Sequence, residues 1–140
     1  MSQMTCVWDA LRTSITQEDL KFIDYPTKPT LNAINMVKLL KNRAYEVLQH
    51  KPTIYLEKWN NEKFTDKYLK ECYQFVKNFN VSSINRGYDC SSCDPFLMVF
   101  AGLFRVNVHF IYVNTKCLFQ VTNPRKTLKF QCSKSHFYKK

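Results

Sequence analysis

The apolar positions near the start of the chain fall four apart. Val7, Leu11 and Ile15 share one helical face and Trp8 lies on the next, so the spacing predicts a first helix from Cys6 or Val7, capped by Thr5. Pro26 and Pro29 mark a loop after it. A long helix then opens at Thr30. Ile34, Val37, Leu40 or Lys41, Ala44 and Leu48 form its apolar stripe, while Lys38, Asn42, Glu46 and Gln49 face outward. His50-Lys51-Pro52 ends it, because the residue before proline resists the helical region. Thr65 caps a third helix with Leu69, Cys72, Val76 and Phe79 inward and Lys67, Lys70, Gln74 and Lys77 outward.

The pattern changes in the second half. Asp94-Pro95 reads as an N-cap followed by proline at the first helical position. The next nine residues, Phe96 to Phe104, are apolar on every side, so this helix is expected to be buried against a sheet. After Arg105 the period becomes two, with Val106, Val108, Phe110 and Tyr112 on one face. Turns at Asn114-Thr115-Lys116 and Asn123-Pro124-Arg125-Lys126 lead into further strands at 117–122 and 128–132, and a short last strand holds His136, Phe137 and Tyr138. The expectation is an α+β domain over residues 1–140, with a helical side to about residue 104 packed on a C-terminal antiparallel sheet from about 105.

Length and composition narrow the class. The 140 residues, 45% hydrophobic and 15% aromatic, suit one globular domain, and two glycines leave little room for a phosphate-binding glycine loop. No apolar run reaches the roughly 18 residues of a membrane span, and the N-terminus lacks the pattern of a signal peptide. The net charge of +10 could draw in nucleic acid, an anionic membrane or an acidic protein. Its lysines are spread along the chain and arginine is scarce, which argues against nucleic acid and for a solvated surface.

Six cysteines without a secretion signal point to thiols in a reducing compartment. Cys90-Ser-Ser-Cys93 has metal-ligand spacing, yet no second such pair completes a zinc site, so no metal and no cofactor is expected. Cysteine protease chemistry needs a thiol that ionises, which a helix N-terminus and an imidazolium both favour. Cys6 stands where the first helix begins. His136 follows it by about 130 residues on a strand, the order and spacing of papain-type enzymes. His50 suits a helix C-terminus and His109 a sheet position, so both are weaker candidates.

These residues resemble a family. Cys6-Val7-Trp8-Asp9-Ala10-Leu11 is similar to the segment that opens the catalytic helix of OTU-type and compact viral papain-like proteases, and also, with the aromatic shifted by one, to picornaviral leader proteases. The run from Asp94 to Val113 resembles the helix–strand unit of OTU domains, and Ser135-His136-Phe137 the strand that delivers the histidine. The resemblance implies a papain-like fold with Cys6 as nucleophile and His136 as base. It implies further that Gln3 and the Cys6 backbone form the oxyanion site, with Trp8, Asp89, Asp94 and Ser135 beside the substrate. Gln3 replaces the aspartate usual in OTU enzymes, and Tyr138 stands where the histidine-orienting residue often lies. The third catalytic member is therefore Asn107, Asp94, Asp89 or a residue beyond Lys140, or the site is a dyad.

The partners implied are ubiquitin or a ubiquitin-like protein and a viral polyprotein, met by a monomer in the host cytoplasm. Among the carboxylates, Asp9, Glu18, Asp19 and Asp89 are the ones that could meet a basic modifier tail, and each also reads as a solvated surface charge. Two other readings stay open. One is a basic viral RNA- or host-factor-binding domain without catalysis, and the other a zinc-stabilised interaction domain using Cys90 and Cys93.

Overall fold

A computed structural model describes residues 6–26, 29, 31–49, 55–56, 62–63, 66–86, 94–112, 115–133 and 136–139. The chain begins with α1 (Cys6–Thr13) and α2 (Gln17–Phe22). The second was not expected from the pattern. It is six residues long and carries its own capping box, in which Thr16 and Asp19 bond each other's backbone N–H groups. Next come α3 (Ala33–Gln49), two-residue strands β1 (Tyr55–Leu56) and β2 (Glu62–Lys63), and α4 (Asp66–Asn78). A 3-10 turn over Val81–Arg86 precedes α5 (Pro95–Phe104). The chain ends in β3 (Asn107–Tyr112), β4 (Thr115–Gln120), β5 (Thr127–Ser133) and β6 (His136–Lys139).

The α+β class holds, but the sheet is mixed, not an antiparallel meander. Its order is β2-β1-β4-β3-β5-β6, with β5 parallel to β3. The turn after β4 does not close a hairpin, because three backbone-directed bonds carry it past the start of β3. The Val121 N–H donates to Asn107 Oδ1 at 3.0 Å, Arg125 N–H to the Arg105 carbonyl at 2.8 Å, and Asn107 N–H to the Lys126 carbonyl at 3.0 Å. Asn123 turns the corner with φ 53°, a left-handed conformation that asparagine tolerates. The sheet also draws β1 and β2 from between α3 and α4, so the helical and sheet halves are not divided at residue 104.

Helix α5 lies where its composition requires. Asp94 caps it, accepting from the Phe96 and Leu97 N–H groups at 2.9 and 3.2 Å, and Pro95 needs no partner there. One side meets α3 and α4 and the other meets β3 and β4. Phe96, Leu97, Met98, Val99, Phe100, Ala101, Leu103 and Phe104 are all buried. In α3 the stripe is broader than expected: Met36, Val37, Leu39, Leu40, Ala44 and Val47 are buried, while Ile34 is 43% exposed. Lys41 leaves the stripe and donates to the Lys77 and Phe79 carbonyls, capping the C-terminal end of α4.

Candidate active site

Cys6 is the first residue of α1, half-buried against the core. Short side-chain bonds finish the other end of this helix: Thr13 Oγ1 donates to the Asp9 carbonyl at 2.8 Å and Ser14 Oγ to the Leu11 carbonyl at 2.7 Å. The helix rests on α3 and on β6. His136 opens β6, opposite Ser133 of β5. The first helix and the last strand, far apart in sequence, are thus neighbours in space. The elements that carry Cys6 and His136 are brought together.

Three of the expected site residues belong elsewhere. Asn107 lies at the opposite end of β5 from the histidine. It is level with Thr127, whereas His136 is level with Ser133, a separation of roughly 20 Å at about 3.3 Å per strand residue. Its carboxamide holds the crossover through Val121 and is not a third catalytic member. Trp8 has 0% exposure; its ring meets Phe96 edge-on at a centroid distance of 5.0 Å and lies 5.9 Å from Phe79, so it is core and not a substrate contact. Asp94 is buried and spends its carboxylate on the α5 N-cap, which removes it from both the substrate and the triad roles. Gln3, Asp89 and Ser135 lie outside the described residues, as do Cys90 and Cys93.

Of the carboxylates singled out for a modifier tail, Asp9 is paired with Arg12 at 2.8 Å, and Glu18 is exposed. Asp19 is neither solvated nor available, at 1% exposure. Arg125 Nη2 donates to its Oδ1 at 2.8 Å, and Lys126 Nζ and the Thr16 N–H donate to its Oδ2 at 2.6 and 2.8 Å. Burial alone would raise its pKa, but the Lys126, Thr16 and Arg125 bonds outweigh burial and hold it at about 2. Arg125 also donates from Nη1 to the Phe104 carbonyl at 2.9 Å, and its guanidinium lies over the Phe22 ring with Arg105 nearby at 5.1 Å. This knot joins α2, the end of α5 and the crossover loop. One signal of it was readable, the Thr16-x-x-Asp19 spacing of a capping box.

Among the described residues no group of three or more histidine, cysteine or acidic side chains is placed to hold a metal, and no helix is long and apolar enough to cross a membrane. Cys6, Cys72 and Cys117 stand as thiols, the last two buried. No family model, curated protein or solved structure matches the chain.

Proposed function

We propose that the chain is a cysteine protease of papain-like, OTU-like type that removes ubiquitin or a ubiquitin-like modifier from proteins of an infected host cell and cuts a viral polyprotein. The observation that supports it is the packing of α1, which starts at Cys6, against β6, which starts at His136. The likeness of the segments around both residues to viral papain-like enzymes supplies the substrate class.

On this reading His136 takes the thiol proton and Cys6 Sγ attacks the scissile carbonyl carbon. The backbone N–H at Cys6, with Gln3, holds the developing oxyanion. The C–N bond breaks, the leaving amine takes the proton from the imidazolium, and water, deprotonated by His136, releases the acyl group from sulfur. With Asn107 and Asp94 committed to the fold, the residue that orients His136 is Asp89 or one beyond Lys140, or Cys6 and His136 work as a dyad.

The test is incubation with ubiquitin and ubiquitin-like proteins bearing a C-terminal electrophile, read by intact mass. One adduct is expected on the wild type and none on Cys6→Ala, with at least a 100-fold slower adduct on His136→Ala. No adduct with any modifier, together with alkylation of Cys6 no faster than that of a cysteine in a free peptide, would overturn the reading.

A further inference from the structure

The outward face of α4 carries a second feature that the thiol chemistry does not use. Its inward face is complete, with Leu69, Cys72 and Val76 buried. On the other side lies an open recess of about 780 Å³ running from Lys67 and Lys70 to Phe75, Phe79 and Asn80. Phe75 is 46% exposed, a large apolar surface to leave in water. It is not a loose side chain. Its ring packs edge-on against Phe96 of α5 at 6.1 Å, and Phe79 meets the same ring at 5.1 Å. The apolar end of the recess is therefore fixed from behind by the buried helix, which lowers the entropy cost of binding there.

Charge selects the occupant. Lys67 and Lys70 stand one helical turn apart on the exposed stripe, on a chain of net charge +10. Glu71 stands between the lysines and Phe75, a carboxylate that a docked peptide meets with a backbone N–H. We propose that this face of α4 docks an acidic segment of a partner protein, seating one aliphatic or aromatic side chain against Phe75 and Phe79 and its carboxylates on Lys67 and Lys70. The docking does not depend on Cys6, and Cys6→Ala retains it.

The experiment is selection of displayed random dodecapeptides on the intact chain, followed by fluorescence anisotropy on the enriched peptides. Those peptides are expected to share an apolar residue flanked by two or more acids. Their affinity falls at least tenfold on Phe75→Ser and, separately, on the exposed pair Lys67→Glu and Lys70→Glu. It stays within twofold on Lys116→Glu with Lys129→Glu, exposed cations of the sheet. Failure to enrich any acidic–apolar peptide overturns the proposal. So does binding indifferent to both α4 variants, equal loss on the sheet variant, or displacement of the peptide by a 20-nucleotide RNA at lower concentration than by unlabelled peptide.

Discussion

At the scale of single residues, the strongest electrostatic feature is Asp19. A carboxylate at 1% exposure survives only because two cations and the Thr16 N–H surround it. Removing its charge leaves Arg125 and Lys126 without their anion, so Asp19→Asn is expected to cost about 3 kcal/mol of stability. The sign of the pH dependence follows from a folded pKa of about 2, below the ordinary value of 3.8. The contribution is complete above the unfolded pKa and fades as pH falls from about 4 to about 2, a loss on the order of 2 kcal/mol. Urea midpoints at pH 5.5 and pH 2.5 would therefore differ less in Asp19→Asn than in the wild type. A gap between the two proteins that is the same at both pH values would refute the assignment. From the sequence Asp19 read as a surface charge because its cations lie at the far end of the chain, where periodicity carries no information.

At the scale of elements, what local chemistry decides was legible and what long-range pairing decides was not. The buried helix after Asp94-Pro95 could be read directly: a cap, a proline and an apolar run agree with one another. Asp94→Ala removes that cap from a buried position and is expected to destabilise the fold by about 1–2 kcal/mol in urea titration. A first helix holding Cys6 and a last strand holding His136 were legible for the same reason. Strand partners were not. A six-residue connection after β4 looks like a wide hairpin turn, and long-range bonds, among them the Asn107 carboxamide catching Val121 across fourteen positions, send it past β3. Asn107→Ala should accordingly lower stability by about 1 kcal/mol, the worth of one partly buried hydrogen bond, while leaving the rate of adduct formation by Cys6 within twofold at a temperature where the protein is folded. A hundredfold loss of that rate with unchanged stability would restore Asn107 to the catalytic group. Trp8 was misread for a related reason. An aromatic beside a nucleophile suggests a substrate wall, yet on a helix that packs on one side it faces Phe96 and the core.

At the scale of the whole molecule, the fold closes by laying its first helix on its last strand. Neither carries the proposed chemistry alone. In isolation α1 is eight residues long, too short to persist in water, and β6 has four residues whose one strand partner among the described residues is β5. Along the chain they are separated by α3, α5 and the rest of the sheet, so the pair of elements is assembled only when those are folded. Contacts between such distant positions also place the protein among slower-folding topologies. Loss of Cys6 reactivity toward an electrophilic ubiquitin should therefore follow global unfolding, with one urea midpoint shared by adduct formation and far-ultraviolet circular dichroism. Substitutions remote from Cys6, such as Asp19→Asn, should move both midpoints together. If reactivity were instead lost at clearly lower urea while the helices and sheet persisted, α1 would be opening as a separate unit. The docking of α1 on β6 would then be a weak local contact, and the case for a site built across it would lose its structural support.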